Sequence, residues 1–216
     1  MTAPDIVAEK RAAALAAAAL VEDGMQVGLG TGTTVAELVP ALGRLHRSIT
    51  CVATSPATAE LATAHGLDVR PFSDIERLDL AIDGADQVDP AGWLVKGGGG
   101  AHTRERIVAA AADRFVVIVS SDKVVTRLRP PVPLELLTFG LAATLQALRA
   151  ATVRAAARTP DGGVLADYHG DIVEPAPLAA WLDAVPGVVS HGLFPPSMVT
   201  TVLVARGDEV EARQIG

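Results

Sequence analysis

Between residues 25 and 121, short apolar runs alternate with longer stretches of helical period. The segments "MQVGLG" (25–30), "SITCVATS" (48–55), "LDVRPF" (67–72), "LDLAIDGAD" (78–86), "GWLVKGG" (92–98) and "RFVVIVSS" (114–121) read as strands or strand ends. Centres such as "FVVIV" are continuous apolar runs, the pattern of strands buried on both faces. Helices are expected over 5–22, 31–46, 56–66 and 103–113, the third ending at a glycine stop signal. This alternation predicts an α/β fold with a parallel sheet covered by helices on both faces. Ligands of such sheets bind beyond the C-terminal strand ends. "GTGTT", "ATS", "DGAD", "KGGGG" and "SSDK" all fall at such ends.

After residue 127 the texture changes. The breaker cluster "RPPVP" (129–133) suggests a boundary. A helix is expected over 134–150, strands over 151–158 and 164–174 around the turn "TPDGG", and a helix over 177–188. A strand, a turn and a closing strand fill 198–215. The expected division is a catalytic domain of 1–127 plus about 204–216, and a small α+β domain of about 128–203.

Eighteen basic against 25 acidic side chains give a net charge of −7, which does not invite nucleic acid, although a local basic pocket could still hold a phosphate. The apolar run "AAALAAAALV" (12–21) is too short to span a bilayer and lacks the layout of a secretory signal, so a cytoplasmic protein without membrane partners is expected. The single cysteine, Cys51, builds no disulfide framework and reads as a small buried hydrophobe.

Four loops carry candidate chemistry. In "VGLGTGTT" (27–34) glycines let the backbone approach an anion, and Thr31, Gly32, Thr33 and Thr34 lead into a helix N-terminus. Thr33 stands where a dinucleotide fingerprint needs glycine, and no lysine follows Gly32 as a Walker A loop requires. The loop fits a phosphate monoester better than ATP or NAD; a tight packing turn is the alternative. In "AIDGADQVD" (81–89), Asp83 and Asp86 flank Gly84 and Ala85. With no histidine cluster nearby, hydroxyl binding is favoured over a metal, and an Asp-Gly turn is the bland alternative. In "WLVKGGGGAHTRERIV" (93–108), Lys96 and Glu105 bound Gly97, Gly98, Gly99 and Gly100. Alone they could be a surface lysine and a helix-dipole carboxylate. Together they read as a cation and a general base facing one substrate. Lys123 in "VSSDK" is either a snorkelling surface lysine or a second cation near the ligand. His102 is close enough to Glu105 to line the same pocket.

These motifs, with "ATSPATAELATAHG", "VVIVSSDKVV" and "AVPGVVSHGLF", resemble the ribose-5-phosphate isomerase A family in order and over most of the chain. The resemblance implies a Rossmann-like domain with a smaller α+β domain, a homodimer or tetramer, and interconversion of D-ribose 5-phosphate and D-ribulose 5-phosphate in the pentose phosphate pathway. It implies a small phosphosugar as the only partner and neither metal nor organic cofactor. It places the proton-transferring base at Glu105, the charge-holding lysine at Lys96, hydroxyl-binding carboxylates at Asp83 and Asp86, a substrate loop at 31–34, and a substrate-binding lysine at Lys123. Lys10 matches a pocket lysine more loosely. Gln87 replaces a common glutamate, Thr33 a serine, and "ADYHGDIVE" lacks the family's Asp-Asn-Gly-Asn run. One carboxylate can move the proton between C2 and C1 through a cis-enediolate, with Asp83 or water opening the sugar ring. Coenzyme A transferases and sugar-phosphate-sensing regulators share the fold class and are the rival readings.

Overall fold

The computed structural model describes residues 5–215. Among these residues three sheets are formed. The chain begins with α1 (Ile6–Ala18), β1 (Gln26–Leu29), α2 (Thr33–Leu45), β2 (Thr50–Ala53), α3 (Pro56–Ala64), β3 (Asp68–Val69) and β4 (Leu80–Asp83). Then come β5 (Gln87–Val88), β6 (Leu94–Val95), α4 (His102–Ala110), β7 (Phe115–Ser120), β8 (Val132–Leu136), α5 (Leu141–Leu148), β9 (Ala151–Arg158) and β10 (Val164–Tyr168). The chain closes with α6 (Pro175–Ala184), β11 (Val188–His191), β12 (Leu193–Phe194), β13 (Thr201–Arg206) and β14 (Glu209–Gln214).

The main sheet has the order β14-β13-β7-β4-β1-β2-β3, parallel except for β14 at one edge. Its strands alternate between two cores. Val27, Leu29, Cys51, Leu80, Ile82, Val116 and Ile118 point to one face, where α1, α2 and α3 lie. Val52, Ala81, Phe115, Val117, Val202 and Val204 point to the other, covered by α4 and by the small sheet β12-β6-β5. Burial on both faces explains why these strands read as apolar runs. On α1 the buried stripe is Ala13, Ala14, Ala17 and Ala18, and such small side chains let the helix lie close to its neighbours. Asp5 caps it by accepting from the Val7 and Ala8 amides, both at 3.1 Å.

From β1 the chain winds outward through β2 to β3; from β4 it winds the other way through β7 to β13. The direction therefore reverses between β1 and β4. That crevice is where open α/β sheets bind ligands.

Several expected elements differ. The helix expected over 134–150 is the strand β8 followed, after Gly140, by α5 alone. "VPLEL" has good helix formers, but Val132, Leu134 and Leu136 are fully buried in a third core, and the strand pairs with β10 and β11. Tertiary pairing overrides a weak local preference. The strand expected over 164–174 stops at Tyr168, and the helix expected over 177–188 spans Pro175–Ala184. "VVSHGLF" forms β11 and β12, neither of which was expected. The chain re-enters the main sheet at Thr201, slightly before the expected 204. Between these points β8–β11 make an antiparallel sheet of order β11-β8-β10-β9.

Candidate active site

At the reversal point the loops after β1 and β4 meet. The Gly30 amide donates to the Ile82 carbonyl at 2.9 Å, and the Thr31 amide donates to Asp83 Oδ1 at 3.1 Å. Gly30 has to lack a side chain: a Cβ there would stand 1.8 Å from Asp83 Cγ. Gly32 adopts φ +112° immediately before α2, a conformation that favours glycine. Lys96 follows β6, with its amide donating to the Gly192 carbonyl at 2.8 Å. Glu105 sits in the first turn of α4.

These three elements bring Asp83, Lys96 and Glu105 together in the interior. Lys96 Nζ donates to Asp83 Oδ2 at 2.7 Å and to the Gly84 carbonyl at 2.5 Å, and lies 3.1 Å from Glu105 Oε2. The Lys96 and Glu105 side chains are only 3% and 5% exposed. Phe194 backs the cluster, its ring centre 5.5 Å from Lys96 Nζ. Burial alone would lower the Lys96 ammonium, but Asp83 and Glu105 outweigh it and hold the group above the usual lysine range. One ammonium faces two carboxylates, so one negative charge is left over. Burial raises the Asp83 carboxyl against the pull of Lys96, and burial first, then the charge of Asp83, pushes the Glu105 carboxyl up to about 7 against the same pull. A carboxyl poised near neutrality can take and return a proton.

The cluster opens on a cleft of about 140 Å³. Thr31, Gly32, Thr33, Thr34, Gly84, Ala85, Asp86, Lys96, Gly97, Gly98, Gly99, Glu105 and Lys123 line it, together with Lys10. Asp83 does not line it. Its oxygens are occupied by Lys96 and by the Thr31 and Gly84 amides, so it stands behind Lys96. Asp86 is exposed and accepts from the Gly98 amide at 2.8 Å. His102 is wholly buried beneath Gly97 rather than in the cleft, and burial pushes its imidazole down to about 3, so it is neutral. A larger groove of about 810 Å³, lined by Val52, Phe72, Ile107 and Val189 among others, is mostly apolar, and its Arg104 and Asp161 are paired with each other at 2.7 Å.

Glu9 escaped the sequence reading. Buried on α1, it accepts from the Ser121 amide at 2.7 Å and the Gly207 amide at 3.1 Å. It thereby fixes the turn Ser121–Lys123 that carries Lys123. A signal was present: Glu9, Ala13 and Ala17 share one helical stripe, so a charge sits on the face that the alanines bury. Among the described residues, no group of three or more His, Cys, Asp or Glu side chains forms a candidate metal site, and no helix is long and apolar enough to cross a membrane.

The family sequence model of ribose 5-phosphate isomerase A (phosphoriboisomerase A) matches residues 50–209. This chain belongs to the ribose-5-phosphate isomerase A family. Ribose-5-phosphate isomerase A of Sphingopyxis alaskensis is 42% identical over 225 residues, covering 98% of each chain. The ribose 5-phosphate isomerase A structure from Neisseria gonorrhoeae superposes with a TM-score of 0.94 at 29% identity, covering all of both chains. A D-ribose-5-phosphate isomerase solved in complex with phospho-erythronic acid superposes at 0.90 with 31% identity, covering 99% of this chain and 100% of that one. The family is one of isomerases, and the fold expected from the resemblance is the fold observed, a mostly parallel sheet with helices beside a smaller antiparallel sheet.

Proposed function

We propose that this protein interconverts D-ribose 5-phosphate and D-ribulose 5-phosphate through a cis-enediolate, with Glu105 as the proton-transferring base. The observation that carries the reading is Glu105 itself: a buried carboxyl, raised to about 7, lining a polar cleft beside a buried ammonium.

The phosphate is assigned to the α2 N-terminus at 31–34, between Lys10 and Lys123, where backbone amides and two cations face the cleft. The reacting end then lies toward Glu105. Its carboxylate removes the C2 proton of the open aldose and returns it to C1, while the O2 hydroxyl proton passes to O1 between the two cis oxygens of the enediolate. Lys96 and the glycine-loop amides stabilise the negative charge that develops on the sugar oxygens. Asp83 reaches the sugar only through Lys96, whose ammonium it holds in place. We therefore assign direct contact with sugar hydroxyls to Asp86, and ring opening to the Asp83–Lys96 pair. The domain division is drawn to match: the main sheet and α1–α4 supply the base and the phosphate site, with β8–β11 as the second unit.

The direct test follows ribulose 5-phosphate formation from ribose 5-phosphate in EDTA, with coenzyme A absent. Turnover is expected; an absolute need for a divalent ion or for coenzyme A would overturn the reading. Because the carboxylate is the active form, kcat/KM should fall about tenfold per pH unit below about 7. A profile flat from pH 5 to 8 would remove Glu105 as the base. Lys123 stands 3.1 Å from Asp122 and is about a third exposed. Lys123→Ala should raise KM by roughly tenfold, the loss of one charge-assisted bond, with a smaller change in kcat. An unchanged KM would take Lys123 out of the phosphate site.

A further inference from the structure

The loop Gly97–Gly100 is costly to hold in one shape, because glycine loses more conformational freedom on ordering than any other residue. Gly97 and Gly100 adopt φ of +100° and +77°. A side chain from the other sheet secures it. Arg154, on the edge strand β9, donates through Nη1 to the carbonyls of Gly97 and Gly98, both at 3.1 Å. Its remaining donors are fixed by Asp167 on the adjacent β10, which accepts from Nε at 2.8 Å and from Nη2 at 2.6 Å. The Arg154 side chain is 21% exposed.

A trans peptide is planar, so its N–H points opposite to its C=O. Turning the Gly97 carbonyl toward Arg154 turns the Gly98 N–H the other way, and that N–H donates to Asp86 at 2.8 Å. Turning the Gly98 carbonyl toward Arg154 does the same for the Gly99 N–H. Gly99 lines the cleft and faces Thr31, whose Cγ2 would lie 3.5 Å from a Cβ placed on Gly99.

We propose that Arg154 is a positioning residue for the reaction: by holding two loop carbonyls from behind, it aims the Gly98 amide at Asp86 and the Gly99 amide at the developing enediolate. The Asp167 fork orients the guanidinium, so β9 and β10 set the geometry of a site to which they give no substrate contact. The inference rests on the isomerase reading above. It assigns the second sheet a part in the chemical step rather than in substrate capture.

The test compares wild type with Glu105→Gln, Arg154→Ala, Arg154→Lys and Asp167→Asn. For each, kcat and KM for ribose 5-phosphate are measured, together with the affinities for inorganic phosphate and for phospho-erythronic acid, which carries a carboxylate near the reacting end. Arg154→Ala should lower kcat by about 10–100-fold with KM within about threefold, the scale of losing a charge-assisted arrangement. Affinity for phospho-erythronic acid should fall about tenfold or more while inorganic phosphate binds as before. Added guanidinium ion should restore part of the kcat of Arg154→Ala and none of Glu105→Gln. Lysine should rescue poorly, because it cannot bridge two carbonyls and a carboxylate at once. A kcat within twofold of wild type overturns the proposal. So does an equal loss of both ligands with a lowered melting temperature, since that marks a merely structural role. If Arg154→Ala does not fold, Asp167→Asn keeps the guanidinium but loosens its orientation, and must show the same split at smaller size. Failure of the isomerase reading has a different signature: inactive wild type, or an active Glu105→Gln variant.

Discussion

Glu105→Gln is expected to lower kcat by roughly 10²–10⁴-fold, the range for a positioned proton-transfer group, with substrate affinity nearly unchanged. Glutamine keeps the volume and a polar head beside Lys96 but cannot accept the C2 proton. Solvent deuterium should enter the recovered sugar in wild type and far more slowly in the variant. Exchange at the wild-type rate, read by proton NMR on folded protein, would eliminate Glu105 as the base. The same change should alter stability with a definite sign. Folded Glu105 holds its proton up to about 7, whereas an ordinary glutamate lets it go near 4.5. Between those values the folded chain binds more protons than the unfolded one, so wild-type stability falls as pH rises across that window. Glutamine removes this contribution. The variant should therefore gain stability relative to wild type as pH rises from 5 to 8, while losing turnover.

Lys96→Met should have the second large effect. It removes the only cation among Asp83 and Glu105 and leaves two buried carboxylates facing each other. Breaking such an arrangement costs about 3–5 kcal/mol when the charges stay buried. Protonation relieves part of this, so the loss, measured by urea unfolding, should be smaller at pH 5 than at pH 8. Glu105 would rise further above 7, leaving it protonated at neutral pH. The site would also lose its main electrostatic support for the enediolate. A kcat reduced by about 10²–10³-fold at pH 7 follows, with partial recovery in alkaline buffer. Retention of kcat within tenfold at neutral pH would sink the role given to Lys96.

What was legible in the sequence follows from what is local. The strands β1, β2, β4 and β7 could be read because burial on both faces leaves a continuous apolar run, and α3 between β2 and β4 carries its own cap, Ser55, and a stop at Gly66. Three of the cleft motifs could be read because the loops after β1, β4 and β7 share one end of a parallel sheet, whereas the Lys96–Gly99 loop follows β6 of the small antiparallel sheet. β8 could not: its five residues contain good helix formers, and only partners some thirty and fifty residues later make them a strand. β5 and β12, which were not read, are two residues each, too short to carry a period. Arg154 and Asp167 lay in a stretch that looked like ordinary strand polarity, and their meaning comes from the Gly97 and Gly98 carbonyls far away in sequence. The family resemblance gave Asp83 and Asp86 the same hydroxyl-binding role. The amides of Thr31 and Gly84 and the ammonium of Lys96 make them unequal.

The order of strands in the main sheet also sets an order in time. β7 ends at Ser120, and its outer neighbour β13 begins only at Thr201. During synthesis, at roughly 5–20 residues per second, the whole β8–β12 segment leaves the ribosome before that neighbour exists, an interval on the order of several seconds. Until then "FVVIV" is an open, apolar edge of the growing sheet, the kind of edge that pairs with other chains. The turn carrying Lys123 also waits for the end of the chain, because Glu9 spans Ser121 and Gly207. The nascent protein can thus place Glu105 and the loop at 31–34 early, yet Lys96 waits for Gly192, and the last pair of strands must arrive before the sheet is sealed and the cleft is complete.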